Sequence, residues 1–180
     1  MNQPRFFQED TFHHLYNRGA NKQKIFFDHF DYRFFKKKLY EYKVKYEMEI
    51  LCYCLMPNHF HLFVGQTEQN KSIGKFIGDL GNSYTKSINK KYKRSGVLFE
   101  GSTKSKIVYE ENAFILLTKY ILLNPVRAGL CTNFEDYEFS SAKELMGRSV
   151  EEITDKKILA YFENDTTRFE AFVSSADVKP

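Results

Sequence analysis

Two histidines separated by one residue give the sequence its clearest chemical signal. His59 and His61 flank Phe60 in a run of apolar residues that is typical of a β-strand. Side chains two positions apart on a strand project from the same face, and two neutral imidazoles on a rigid strand can bind a divalent metal ion. The same spacing also fits two hydrogen-bonded histidines on a half-exposed strand, and spacing alone favours that simpler interpretation.

The residues around the histidine pair shift the balance toward a metal site. Pro57 and Asn58 fix the point where the strand begins. The alternating apolar residues of the strand, Phe60, Leu62 and Val64, can then face the core. Both histidines would in that case point away from this core.

A tyrosine and an asparagine form the second candidate group. Tyr120 and Asn124 are four residues apart in a predicted helix, so they share one face of it. An amide oxygen can complete the coordination of a hard cation, and a phenol beside that cation can be a nucleophile. Spacing alone favours the structural alternatives, a tyrosine that packs the helix and an asparagine that caps its end before Pro125.

The remaining histidines and cysteines give weaker signals. His13 and His14 are adjacent, so they face opposite sides of a strand and cannot chelate jointly, although one of them could assist as a remote ligand. Cys52 and Cys54 lack the usual C-x-x-C spacing of metal sites, and three cysteines in all do not make a disulfide framework. We therefore predict buried apolar thiols.

Positive charge is concentrated in one segment, although the net charge of the chain is only +4. Residues 85–106 contain seven basic residues against the single acid Glu100, a balance of +6. Such a segment fits a polyanion partner and fits a solvated helix face about equally well.

Composition excludes several classes of protein. A chain of 180 residues with 42% apolar and 17% aromatic residues can build a core, so global disorder is excluded. The longest apolar runs are far shorter than the roughly 20 residues that cross a bilayer, and the first residues lack the apolar segment of a secretory signal. We expect a cytoplasmic protein with no membrane partner.

The elements that must position these residues follow a simple order. Strands are predicted at 12–17, 48–56, 59–64 and 102–109, and helices at 30–46, 73–92, 110–123, 153–162 and 168–173. The third helix must end near Asn124 because Pro125 follows. The order β-α-β-β-α-β, followed by another helix, predicts an α+β, ferredoxin-like split βαβ fold with helices on one face of an antiparallel sheet. We expect this domain to span residues 1–146, with a C-terminal helical extension or tail at 147–180.

Two segments resemble a known family. Residues 54–63, CLMPNHFHLF, resemble the His–hydrophobe–His (HUH) motif of single-strand DNA nucleases and transposases. Residues 119–129, KYILLNPVRAG, resemble the tyrosine-bearing segment of the REP-associated tyrosine transposases, relatives of the smallest insertion-sequence transposases. Residues 16–19 (YNRG) and 96–101 (GVLFEG) agree, and the resemblance extends from about residue 12 to residue 141.

The resemblance implies a role for each candidate residue. Tyr120 matches the nucleophile of the family, His59 and His61 match its metal-binding histidines, and Asn124 matches the polar residue that helps to hold Mg²⁺ or Mn²⁺. The segment 137–141 lies where the family often has a tryptophan, and this chain has none. Residues after about 146 match nothing in the family, so the resemblance implies no role for them in DNA recognition.

The expected function is therefore a transposase-type single-strand endonuclease and strand transferase that forms a 5′-phosphotyrosine. Its expected partner is single-stranded DNA beside a hairpin, bound by a monomer or homodimer. We expect basic side chains to contact the DNA, namely Arg18, Lys86, Lys90, Lys91, Lys93, Arg94, Lys104 and Lys106.

Two alternatives stay open. A rolling-circle replication initiator or relaxase belongs to the same superfamily, but the Asn-Pro-Val segment is typical of the transposases and no helicase domain follows. A non-catalytic module that binds single-stranded nucleic acid could share the split βαβ topology.

Overall fold

An antiparallel sheet forms the centre of the computed structural model, which describes residues 11–66 and 72–175. The strands are β1 (Phe12–Arg18), β2 (Met48–Met56), β3 (His59–Gln66) and β4 (Lys104–Val108). Their spatial order is β2-β3-β1-β4, with every neighbouring pair antiparallel. This order is that of the split βαβ fold, so the predicted fold class is confirmed.

Five α-helices and three 3₁₀ turns complete the described chain. The helices are α1 (His29–Tyr46), α2 (Ile73–Lys91), α3 (Glu111–Arg127), α4 (Ala142–Leu145) and α5 (Thr166–Ser174). The 3₁₀ turns are Ala20–Lys22, Phe134–Asp136 and Lys157–Phe162. The predicted helix at 153–162 is therefore a shorter 3₁₀ turn.

The helix α1 begins within one residue of its predicted start. Asp28 caps its first turn through a capping box. Phe30, the first residue of the predicted helix, is 70% exposed, whereas Tyr32, Phe35 and Leu39 are buried. Aromatic residues occur on nearly every face of this helix, so contact with the sheet and not periodicity selects the buried one.

The two faces of the sheet are covered by different helices, so the prediction of helices on one face only is wrong. On one face, α1 and α2 pack against strand residues that include Leu15, Phe60 and Leu62. On the other face, α3 and α5 pack against residues that include Cys54 and Phe63. The side of β3 that carries the histidine pair is thus the side that α3 covers.

The helix α3 continues beyond its predicted end. The prediction that it stops near Asn124 is wrong, because the helix passes through Pro125 and ends at Arg127. Proline removes one backbone donor, but only the last turn follows here, and it is closed by bonds from Ala128 N to Asn124 O (2.9 Å) and from Leu130 N to Pro125 O (2.9 Å). Asn124 is therefore inside the helix, and its side chain is not a terminal cap.

The segment after α3 covers the outer edge of β2. The amide of Leu55 donates to Phe139 O (2.9 Å), and the amide of Ile50 donates to the Asp155 carboxylate (2.7 Å). These bonds satisfy donors that an edge strand would otherwise leave unpaired.

A buried lysine joins α5 to the back of α3. The Lys119 side chain donates from Nζ to the carbonyl oxygens of Phe172 (3.0 Å) and Ser175 (2.8 Å). Lys119 therefore satisfies carbonyl groups at the end of α5 and links that helix to α3, which carries Tyr120.

Candidate active site

The structure brings the four predicted site residues together between β3 and α3. The rings of His59 and His61 lie on the same face of β3, with centroids 5.2 Å apart. The ring of Tyr120 meets His61 edge-on at 5.7 Å. Tyr120 is 41% exposed while His61 is only 7% exposed, so the phenol is accessible above a buried imidazole.

The side chain of Asn124 connects both halves of this group. It forms a hydrogen bond with His59, and its Nδ2 atom donates to the backbone oxygen of Tyr120 at 2.8 Å. Tyr120 and Asn124 therefore share one face of α3, as their spacing predicted, and that face lies against the strand that carries the histidines.

Two residues of β1, His14 and Tyr16, also belong to the site and were not predicted from the sequence. For His14 the sequence analysis allowed only a role as a remote ligand. His14 Nε2 lies 2.9 Å from His61 Nδ1, and their rings stack at 5.1 Å. The ring of Tyr16 lies 6.0 Å from that of His61, its direct partner across the strands. Alternation along β1 separates His14 from His13, but only the pairing of β1 with β3 reveals which neighbour His14 meets.

Burial keeps the histidines of the site neutral. It lowers the pKa of His14 to about 4, with Lys106 adding to the effect. It lowers the pKa of His61 to about 3, helped by the two neighbouring histidines. The pKa of His59 is also lowered by burial, and the bond to Asn124 opposes that shift.

These donors fit a divalent cation that also takes oxygen ligands. Two neutral imidazoles and an amide oxygen suit Mn²⁺ or Mg²⁺ in mixed coordination. Among residues 11–66 and 72–175, no group of three His, Cys, Asp or Glu side chains converges as a metal cage. Further ligands would therefore be oxygens from water or substrate.

A cleft of about 390 Å³ opens beside His59 and His61. Three basic side chains line it: Arg18, Lys22 and Lys104. Arg18 forms an ion pair with Glu100, with Nη2 3.0 Å from Oε1. We call this space the histidine cleft; Lys22 is a basic residue of it that the sequence reasoning did not select.

The predicted basic segment divides between the two sides of the sheet. Lys104 pairs with Tyr16 and Lys106 pairs with His14 across β1 and β4, and directly paired residues share a face. These two lysines therefore lie on the face of the candidate site.

The other basic residues lie in the last turns of α2 or just after it, and α2 packs on the opposite face. Lys91 donates to the carboxylates of Asp28 and Asp31, both at 2.7 Å. Arg94 lies over the ring of Phe27 at 5.3 Å. Lys86, Lys90 and Lys93 are exposed in the same region.

Tyr120 and Tyr84 have very different surroundings. The guanidinium of Arg127 lies 5.3 Å from the centre of the Tyr120 ring. Tyr84 of α2 is fully buried in the other core and donates to Ile25 O at 2.7 Å. Tyr84 is thus excluded as a nucleophile.

The prediction of buried cysteines is confirmed for Cys52 and Cys54.

Comparison with solved structures identifies relatives of the fold. A REP-associated tyrosine transposase bound to a REP hairpin matches with a TM-score of 0.71 and 15% identity, over 85% of this chain and 89% of that chain. A structure from Deinococcus radiodurans described as a transposase matches with a TM-score of 0.47 and 20% identity, over 67% and 95% of the two chains. No curated protein is significantly similar to the chain.

Within the described residues, no helix is long and apolar enough to cross a membrane.

The family comparison covers most of the chain. The profile of the family described as "Transposase IS200 like" matches residues 8–123, which include the histidine pair and Tyr120. The chain belongs to the IS200-like transposase family.

Proposed function

We propose that the chain cleaves and rejoins single-stranded DNA through Tyr120, with a divalent cation held by His59, His61 and Asn124. The observation that carries this proposal is the position of Tyr120. The centroid of its accessible phenol ring lies 5.7 Å from that of the buried, neutral imidazole of His61 in the HUH motif. Membership of a transposase family favours this reaction over a non-catalytic nucleic-acid-binding module.

The reaction exchanges one phosphate ester for another. The Tyr120 oxygen attacks the phosphorus, the new O–P bond forms as the bond to the 3′ oxygen breaks, and the products are a 5′-phosphotyrosine and a free 3′-hydroxyl. The phenolic proton leaves to water, and the departing oxygen takes one up. Attack by another 3′-hydroxyl reverses the step and joins two strands without ATP.

The remaining residues bind and orient the strand. Mg²⁺ or Mn²⁺, when bound, supplies charge stabilisation for the phosphate oxygens. Arg127 above the Tyr120 ring and Lys104 in the histidine cleft can pair with phosphates on either side of the cleaved bond. Since the similar REP-associated transposase binds a REP hairpin, we propose a single strand beside a hairpin as the substrate of this chain.

The nucleophile can be tested by trapping it. Oligonucleotides from the DNA that flanks the gene, presented as single strands with Mn²⁺, are expected to give a covalent adduct that mass spectrometry maps to Tyr120. Tyr120→Phe should abolish cleavage and change DNA affinity by less than about twofold, because it removes one exposed hydroxyl.

Tyr16→Phe is the matched control, since Tyr16 is the other tyrosine that contacts the histidines. This variant should still cleave. An adduct on Tyr16, or cleavage that survives Tyr120→Phe, would refute the assignment.

A further inference from the structure

In each histidine of the site, the Nδ1 atom lies against a neighbouring side chain. His59 Nδ1 lies 2.7 Å from Asn58 Oδ1, and His61 Nδ1 lies 2.9 Å from His14 Nε2. In both rings the occupied atom is Nδ1, although the two partners come from different parts of the chain. In both histidines, Nε2 is therefore the ring nitrogen on the side away from these partners.

The bonds of Asn58 determine which nitrogen of His59 carries the proton. Asn58 Nδ2 donates to the carbonyl oxygen of Lys22 at 3.2 Å, so Oδ1 is the amide atom that faces His59. An amide oxygen only accepts hydrogen bonds. In the contact with Asn58, His59 Nδ1 must therefore be the donor, and a neutral ring with that proton keeps its lone pair on Nε2. Asn124, which also bonds this ring, must then give up its bond when a cation binds at Nε2.

The backbone holds Asn58 rigidly in this position. Gly19 N donates to Asn58 O at 2.8 Å, and Ile25 N donates to the preceding carbonyl of Pro57 at 2.8 Å. The turn between β2 and β3 is thus tied to the end of β1 and to the loop that follows it. A side chain anchored in this way can orient the ring beside it.

His14 occupies the equivalent place behind His61. It is 9% exposed and stacks against the ring whose Nδ1 it contacts. Because its Nε2 is engaged with His61 Nδ1, His14 lies behind the ring and not beside a cation at Nε2. The geometry therefore argues against His14 as a third ligand.

We infer that Asn58 and His14 are positioning residues that hold His59 and His61 in the Nδ1–H tautomer, with both Nε2 lone pairs directed at the cation. The hydrogen bond at one ring nitrogen decides the state of the other, and such partners commonly change metal affinity by about 10- to 100-fold. The inference rests on the proposed function for the identity of the ligand, Mn²⁺ or Mg²⁺.

Nitrogen-15 NMR of the metal-free full chain tests the tautomers directly. We expect both rings to show a protonated Nδ1 and an unprotonated Nε2. A protonated Nε2 in His59 or His61 of the native chain would overturn the inference for that ring. This measurement requires no DNA, no metal and no variant, so it stands or falls separately from cleavage by Tyr120.

Variants then test whether the partners matter for binding. In calorimetric titrations with Mn²⁺ alone, His14→Leu and Asn58→Leu should each weaken affinity about tenfold or more. His14→Gln and Asn58→Asp retain an acceptor oxygen and should remain within about threefold of the native chain.

His13→Leu is the matched control, because His13 is an equally buried neighbour that points to the opposite face and bonds to Ser105. It should leave the His61 tautomer and the Mn²⁺ affinity unchanged. Equal losses in His13→Leu and His14→Leu, or native affinity in the two leucine variants at the site, would reduce Asn58 and His14 to packing residues. A native chain that fails to bind Mn²⁺ would refute the proposed metal but not the tautomer assignment.

Discussion

The burial of His14 and His61 makes the stability of the fold depend on pH. Both rings are buried as neutral imidazoles, and their pKa values fall from 6.5 to about 4 and about 3. Below pH 6.5 the unfolded chain binds protons that the folded chain does not, so the free energy of unfolding decreases as the pH falls toward 4. Each such histidine contributes a slope of up to about 1.4 kcal/mol per pH unit.

Urea denaturation at several pH values between about 7 and 5 measures this slope. The variant His14→Leu removes one of the two titrating rings, so its slope should be clearly smaller than that of the native chain. A native stability that stays flat across this range would mean that the two rings are protonated as easily in the folded protein as in the unfolded one.

At the scale of elements, β4 and α2 present their lysines to opposite sides of the sheet. Lys104 and Lys106 share a face with the candidate site, while Lys90 near the end of α2 and Lys93 just after it lie on the other side of the sheet. We therefore expect the double variant Lys104→Ala/Lys106→Ala to bind the cleaved single strand more weakly than Lys90→Ala/Lys93→Ala. The two double variants remove the same charge, so each is the control of the other.

Salt dependence of single-strand binding is the measurement that separates them. Losing a phosphate contact lowers the slope of log K against log salt by about 0.7. The β4 variant should show this reduction and the α2 variant should not. A larger reduction in the α2 variant would place the single strand on the other face of the sheet, or around its edge.

The sequence predicts those parts of the site that lie within one element. Alternation on β3 places His59 and His61 together, and helical spacing places Tyr120 beside Asn124. The contribution of β1 could not be predicted, because the partner of His14 depends on strand register, which local patterns do not contain. The end of α3 was misjudged for a different reason, since the rule for residues before proline takes no account of tertiary packing over the last turn.

For the whole molecule, a buried carboxylate fixes the chain that follows α4. Glu144 is 1% exposed and accepts hydrogen bonds from the backbone amides of Ile153 and Thr154, both at 2.9 Å, and from the hydroxyl of Tyr53. Glu144→Ala leaves these donors without their acceptor, so the free energy of unfolding should fall by about 3 kcal/mol.

Denaturant or thermal unfolding of the variant checks this expectation. Glu152→Ala is the control, because Glu152 is an exposed acid of the same segment; its effect should be below about 0.5 kcal/mol. Similar losses in both variants would indicate that the acidic charge of the segment matters and the buried bonds do not.

The predicted division at residue 146 does not coincide with a break in packing among the described residues. Ile158, Phe169 and Val173 are buried in the same core as Ile121 of α3. The part of the predicted extension that the structure describes, residues 147–175, thus contributes to the core beneath Tyr120.

The lysine that joins α5 to α3 limits how the chain can be shortened or fused to another protein. Lys119 is 6% exposed, and its ammonium group finds its carbonyl partners at the end of α5. A truncation before α5 would remove the carbonyl partners of Lys119 and expose an apolar surface directly behind Tyr120, which favours aggregation during expression. Reporter domains and affinity tags attached at this end should therefore begin after Ser175, so that the lysine keeps its partners.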